Sequence, residues 1–176
     1  MLNPRHSPNL PGGPDPFMLL DATAISLTDI LLRLGSATVC GLALGFERER
    51  KGKDAGIRTH ALVALSSAVI TTSALSLYAE VQARGGDADP LRVIQGLAQA
   101  IGFIAAGMIF VARGDAERTV RNLTTAASVW LAASAGIVAG AAQFTLLAVA
   151  MGFGLAILVL ITALKRFGLA REETED

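Results

Sequence analysis

The chain has 176 residues, of which 52% are hydrophobic and 17% charged, and its mean hydropathy is +0.53. A water-soluble domain carries nearer a quarter of charged residues, so the composition argues against a soluble protein and indicates a small multi-pass membrane protein. The formal net charge is zero, and a single cysteine, Cys40, excludes an intrachain disulfide and a Cys/His zinc site.

The N-terminal segment holds five of the six prolines within residues 1–16 and has no apolar run. We therefore predict a disordered lead over 1–16, with no cleavable signal peptide. A transmembrane domain is predicted over 17–168, followed by a short charged cytoplasmic tail over 169–176. Targeting to the membrane then depends on the first apolar span itself.

Five apolar windows follow the lead, each of about 20 residues, which is the length that a helix needs to cross roughly 30 Å of hydrocarbon. We predict an all-α bundle of about five transmembrane helices. The last two windows are separated only by the segment Gly140–Phe144, which predicts a tight turn and an antiparallel hairpin. The predicted windows are 27–46, 61–79, 93–112, 123–142 and 144–164.

Basic residues predict the orientation of the bundle. The segments 47–60 and 113–122 and the tail hold eleven Lys and Arg residues, whereas the N-terminus and the remaining loops hold three. Arg33 lies inside the first window and is not counted. Because basic residues are retained on the cytoplasmic side, the N-terminus is predicted to be periplasmic and the C-terminus cytoplasmic. The location predicted is the bacterial inner membrane.

Asp29 and Arg33 lie one helical turn apart in the first window, so they share a face and can form an ion pair within the membrane. Arg33 is shallow enough for its side chain to reach the periplasmic interface. The simpler interpretation is an anchor in the outer leaflet, and the alternative is a functional intramembrane charge pair.

A dense charge cluster, 47–60, connects the first two windows. Glu47 falls at the predicted cytoplasmic interface next to Arg48, and its carboxylate is expected to approach Arg58 or His60 at the start of the second helix. The simpler interpretation of the other basic residues here is a solvated loop that contacts anionic lipid head groups.

The fourth helix is predicted to begin at Asn122, whose side chain can cap it, and the following threonines add hydroxyls to the first turn. The second helix begins similarly near Thr59. Helix starts favour anions, and both starts are predicted to face the cytosol, so they could converge on one vestibule. The predicted vestibule comprises Glu47, Arg48, Arg58, Thr59, His60, Arg121, Asn122, Thr124 and Thr125.

Small residues recur at helical spacing in three windows, a pattern that lets helices approach closely in lipid. These ridges could pack within one subunit or between two copies in a homodimer. Trp130 lies deeper than an interfacial anchor, so its indole N–H is expected to find a partner inside the bundle. The glycines predicted to pack are Gly41, Gly45, Gly102, Gly107, Gly136 and Gly140.

Four sequence stretches are distinctive when taken together: Leu34–Arg48 (LGSATVCGLALGFER), Ala55–Leu65 (AGIRTHALVAL), Ile101–Gly107 (IGFIAAG) and Leu123–Trp130 (LTTAASVW). With these stretches in this order and spacing, the chain resembles the MgtC/SapB family of bacterial inner-membrane proteins from about Leu31 through Ala142. Ala100 and Ala105 replace two glycines of the family's third-helix pattern, and Asn122 stands where the family commonly has glycine.

The resemblance implies an accessory or regulatory membrane protein associated with magnesium homeostasis, growth in low magnesium, intracellular survival of pathogens and restraint of the membrane ATP synthase. It also gives functional weight to Glu47, Arg58, Thr59 and His60. The soluble domain that follows the membrane part in MgtC proper is expected to be absent, since the chain stops about ten residues after the last window.

Other functions remain open at this point. A small transporter or channel for Mg²⁺ would have Glu47 as its weak metal candidate, whereas an anion- or lipid-binding module would use Arg58, Arg118 and Arg121. Catalysis is not expected, since no P-loop, GxSxG or HExxH motif occurs. No cofactor is expected beyond Mg²⁺, and no nucleic acid. The expected partners are the lipid bilayer, a second copy and other membrane proteins such as the ATP synthase.

Overall fold

The computed structural model describes residues 25–110 and 122–166, with side chains described up to residue 160 apart from residue 110. The predicted lead over 1–16, the predicted tail over 169–176 and most of the basic segment 113–122 lie outside the described residues.

The described chain is entirely helical, as predicted. It forms five helices: α1 (Leu27–Arg50), α2 (Ile57–Ala83), α3 (Leu91–Phe110), α4 (Leu123–Gly140) and α5 (Phe144–Arg166). Four of these, α1 to α4, are long and apolar enough to cross a membrane, and the apolar part described for α5, Phe144–Leu160, is shorter.

The first two helices extend into the charge cluster beyond their apolar windows. Ser26 caps the start of α1, because its hydroxyl accepts a hydrogen bond from the Asp29 backbone N–H at 3.1 Å. It ends at Arg50, and α2 already begins at Ile57, so the connecting loop covers only residues 51–56. Gly52 turns the chain there with a φ of 64°, a conformation that glycine adopts at no steric cost. Most of the predicted charged loop is therefore helical and ordered.

Helices α1, α2 and α4 form the core of the bundle, where their backbones touch. A Cβ atom added at Gly41 would lie 2.6 Å from the carbonyl oxygen of His60, and one added at Gly136 would overlap the carbonyl oxygen of Ala64. Glycine is thus required at these crossings, because any side chain would push the helices apart. Small residues such as Ala64 and Ala68 on α2 are fully buried between α1 and α4.

The remaining predicted packing residues divide into two groups. Gly45 and Gly140 meet the backbone of α2 as closely as Gly41 does, whereas Gly102 makes only an ordinary contact with the Trp130 ring. Gly107 has no described neighbour within 4 Å, so its packing role stays a prediction.

The Trp130 side chain lies outside the core, whereas the sequence predicts it inside the bundle. Its side chain is 43% exposed on the outer side of α4, and its indole N–H makes no hydrogen bond to any described residue. The ring covers Gly102 instead, so the residue serves the contact between α3 and α4 rather than the interior of the core.

Helices α3 and α5 pack outside this core, mainly against α4. Leu97 and Ile101 are the buried residues of α3, and Leu147 and Met151 those of α5. The α4–α5 connection is the predicted tight turn, in which Ala142 adopts a φ of 58° and the Gln143 N–H donates to the Val138 carbonyl at 3.0 Å. Both outer helices therefore meet the bundle through side chains rather than backbone.

Candidate functional site

A buried polar cluster lies where α1 ends and where α2 and α4 begin, which we call the charged end of the bundle. Its members are Arg48, His60, Thr125 and Ser128, each at most 3% exposed. An Arg48 Nη2 group donates a hydrogen bond to Thr125 Oγ1 at 2.7 Å and thereby joins α1 to α4. A guanidinium buried this deeply is costly unless it is hydrogen-bonded, so the hydrogen bond to Thr125 offsets part of the cost of burying Arg48.

His60 joins α2 to the same cluster. Its Nδ1 lies 2.9 Å from the Gly56 carbonyl oxygen, which can only accept, so Nδ1 carries a proton. Its Nε2 lies 3.0 Å from Ser128 Oγ. The imidazole therefore bridges the start of α2 and the first turns of α4.

Ser128 has one hydroxyl proton and two acceptors for it. The hydroxyl donates to the Thr125 carbonyl at 2.8 Å, while the neutral His60 ring with its proton on Nδ1 offers Nε2 as a second acceptor. Both hydrogen bonds can coexist only when Nε2 also carries a proton. When Nε2 carries no proton, the Ser128 hydroxyl proton can point either to the Thr125 carbonyl or to His60 Nε2, without any movement of the helices.

A second set of contacts ties the charged end to α5. Glu47 forms an ion pair with Lys51, one turn later on the same helix end. The Lys51 ammonium also donates to the Leu158 carbonyl of α5 at 2.8 Å. The Glu47 carboxylate is thus directed towards Lys51 rather than towards Arg58, which is exposed.

The loop itself is held at both sides. The Glu49 carboxylate accepts a hydrogen bond from the Ile57 N–H at 2.9 Å and so caps α2. Asp54 accepts from the Asn122 side-chain amide at 2.9 Å and links the loop to the start of α4.

The predicted capping role of Asn122 is wrong. The residue adopts a left-handed conformation with φ 67° and ψ 15°, and its side chain makes no capping hydrogen bond. Its amide is instead used by Asp54. Asparagine tolerates this conformation better than most residues, which fits its place before α4.

The structure brings together only part of the predicted vestibule. Arg48, His60 and Thr125 form the cluster, with Glu47 and Asn122 beside it in the contacts above. Arg58 and Thr124 are exposed, Thr59 is half-buried, and Arg121 lies outside the described residues. The cluster is closed to solvent, because Gly41 and Gly45 bring α1 directly against the first turn of α2.

The predicted ion pair between Asp29 and Arg33 does not form. Asp29 is exposed and accepts a hydrogen bond from the Ser26 hydroxyl at 2.7 Å, while Arg33 donates through Nη1 to the Gly140 carbonyl at 2.6 Å. Thr72 donates to the same carbonyl at 3.2 Å. Gly140 ends α4, and a helix C-terminus carries partial negative charge and free carbonyls, so it attracts the guanidinium.

Sequence reasoning missed Ser128, Thr72, Lys51, Glu49 and Asp54. Ser128 carried a usable signal, because it follows Thr125 by one helical turn and so shares its face. Asp54 carried no such signal, since its partner Asn122 lies 68 residues away along the chain.

Comparison with known proteins is consistent with this architecture. Residues 34–167 match the model of the MgtC family. Protein SapB of Bacillus subtilis (strain 168) is 36% identical over 119 residues, which are 64% of this chain and 48% of SapB. Protein MgtC of Brucella abortus (strain 2308) is 36% identical over 133 residues, 74% of this chain and 50% of that protein.

A third relative has a name that refers to an ion. "Putative magnesium transporter YhiD" of Escherichia coli (strain K12) is 34% identical over 119 residues, 67% of this chain and 54% of YhiD. The chain thus spans about half the length of the curated relatives it matches. No solved structure matches it. With the family model covering most of the five-helix bundle, the chain belongs to the MgtC family and is a multi-pass protein of the bacterial inner membrane.

Proposed function

We propose that this protein is an accessory or regulatory component of magnesium homeostasis that acts through contacts of its helices rather than by passing an ion. The link to magnesium comes from the family and from the name of the relative YhiD. The observation that carries the mode of action is the closed α1–α2–α4 core. At Gly41 and Gly136 the helix backbones are too close to admit even one added carbon atom.

The charged end supports the same proposal. Its buried side chains bind one another: Arg48 binds Thr125, and His60 binds Ser128. Such a network fixes the mutual positions of three helices and so the shape of the surface that a partner in the membrane would meet. The ATP synthase is the partner that the family resemblance suggests.

Transport of Mg²⁺ is the second candidate, favoured by the name of YhiD and by Glu47. Both carboxylate oxygens of Glu47 are buried; Oε1 pairs with Lys51, and Oε2 accepts no hydrogen bond from any residue that the structure describes. Magnesium prefers oxygen ligands of this kind. In this structure, however, the carboxylate already forms an ion pair with the Lys51 ammonium, which an incoming ion would have to displace. Among the described residues no group of three His, Cys, Asp or Glu side chains could hold a metal together.

Two measurements on the same protein separate these candidates. Purified protein is reconstituted into liposomes with a magnesium gradient, and the gene is expressed in a bacterium that lacks its own family member and grows poorly in low magnesium. We expect restored growth and no flux above empty vesicles. Flux that is lost in Glu47→Gln and kept in Glu80→Gln, a control at the other end of α2, would establish transport. Failure of the folded protein to restore growth would refute the link to magnesium homeostasis.

A further inference from the structure

The outward face of α3 carries two polar side chains where the surroundings are lipid. Gln95 and Gln99 are both exposed and make no hydrogen bond to any residue that the structure describes. They lie one helical turn apart, so they share a face. Leu97 and Ile101, which are buried, lie on the opposite face and attach α3 to the bundle. The two amides therefore point away from the subunit.

The depth of Gln99 makes this exposure costly. Residue 99 comes eight residues after the start of α3 at Leu91, so at about 1.5 Å per residue it lies some 12 Å along the helix. An amide moved from water into hydrocarbon without a partner costs roughly 4–8 kcal/mol. Polar side chains in spans normally face a protein partner for that reason.

Several buried polar residues of this bundle follow that rule. His60, Thr125 and Ser128 lie inside the core and bind one another or the backbone. Gln95 and Gln99 have no partner among the described residues of their own subunit, and a partner from a second molecule would satisfy both amides.

We propose that Gln95 and Gln99 form the interface of a homodimer, in which α3 packs against α3 of a second copy. A primary amide is both donor and acceptor, so it is its own complement. Two copies inserted in the same orientation are related by an axis along the membrane normal, which places equal residues of parallel helices opposite each other. Gln99 then meets Gln99 of the second copy, and each pair of amides exchanges hydrogen bonds.

The shape of this face allows the approach. Gly96 lies beside the two amides and has no described atom within 4 Å of the place where a side chain would begin. Phe103, one turn beyond Gln99, is 82% exposed and adds apolar contact area. The proposed interface is independent of the proposed function, since it uses no residue of the charged end.

Disulfide trapping in native membranes tests the interface. In a Cys40→Ala background, Gln99→Cys is oxidised and compared with Leu62→Cys, which is also an exposed position, on α2. We expect a band of twice the monomer mass from Gln99→Cys and little from Leu62→Cys. Equal crosslinking of the two variants, or a Gln99→Cys product of another mass, would overturn the homodimer.

Affinity gives a second measurement. The double substitution Gln95→Leu and Gln99→Leu keeps α3 apolar and helical, so the subunit should fold. Dimerisation is followed by energy transfer between labelled copies in liposomes. We expect the dissociation constant to rise roughly 3- to 30-fold, the range that intramembrane side-chain hydrogen bonds give. An unchanged constant would refute the role of the amides even if the protein were dimeric.

Discussion

The bundle has two regions in which the helices contact one another in different ways. In the core of α1, α2 and α4, the helices touch through backbone at glycines, and the polar side chains bind one another. At the periphery, α3 and α5 attach through side chains such as Ile101 and Met151, and α3 presents polar groups outward. Lipid offers no hydrophobic gain for helix association, so close packing and hydrogen bonds must hold the core together.

This difference assigns separate roles to similar residues. Gly41 and Gly136 in the core cannot be enlarged, whereas Gly96 and Gly152 on the outer helices have no described neighbour within 4 Å. The buried Thr125 accepts a hydrogen bond from Arg48, whereas its neighbour Thr124 is exposed. Four pairs of substitutions test the contrast.

The largest effect is expected at the α2–α4 crossing. Gly136→Val places carbon atoms where the Ala64 carbonyl and Ser67 already lie. We expect a loss of about 3 kcal/mol or more in the free energy of unfolding, because backbone cannot yield as a side chain can. SDS titration in bicelles measures it. Gly152→Ala on α5, where no neighbour lies within 4 Å, should be neutral or stabilising. Similar losses in both variants would remove the distinction between core and periphery.

The next effect is expected at Arg48. Arg48→Met keeps most of the side-chain volume and removes the charged donor to Thr125. We expect a loss of about 1.5–3 kcal/mol in the free energy of unfolding, the usual range for hydrogen bonds to charged groups. Arg50→Met is the control, since Arg50 is exposed and stacks over Phe46, with its Cζ atom 5.7 Å from the ring centroid. An equal effect of the two substitutions would show that Arg48 is not specially held.

Thr125 and Thr124 are neighbouring residues of the same type that differ in burial and in the hydrogen bond from Arg48. Thr125→Val removes the acceptor for Arg48 and should cost about 1–2 kcal/mol, whereas Thr124→Val should change little. A double-mutant cycle with Arg48→Met should show coupling for residue 125 and none for residue 124. Additive effects at residue 125 would contradict the hydrogen bond as the source of the loss.

The smallest effect is expected where α5 is tied to the charged end. Lys51→Met removes the ion pair with Glu47 and the hydrogen bond to Leu158, but Lys51 is 26% exposed, so the loss should be under about 1 kcal/mol. The sharper readout is thiol labelling of Leu155→Cys in a Cys40→Ala background. Labelling should speed up several-fold with Lys51→Met and remain constant with the exposed control Arg58→Met. No difference would mean that Lys51 does not hold α5.

Much of the fold could be predicted from the sequence, because each span is a local property of about twenty apolar residues. The turn at Gly140–Phe144 and the close packing at Gly41 and Gly136 followed from the same local patterns. The site was harder. Arg48, His60 and Thr125 were singled out, but Asn122 was assigned a cap that its left-handed backbone prevents. Arg33 was paired with its near neighbour Asp29, although its partner, Gly140, comes from another helix.

The sequence by itself determined that this chain is a helical membrane protein with five apolar helices, since hydrocarbon permits only segments that satisfy their own backbone. The charge bias adds a predicted orientation. Only the tertiary structure decided which polar groups meet, because a hydrogen bond between α1 and α4 depends on how closely α2 lets them approach. That approach is fixed by glycines facing carbonyl oxygens, a relation between helices that no single segment contains.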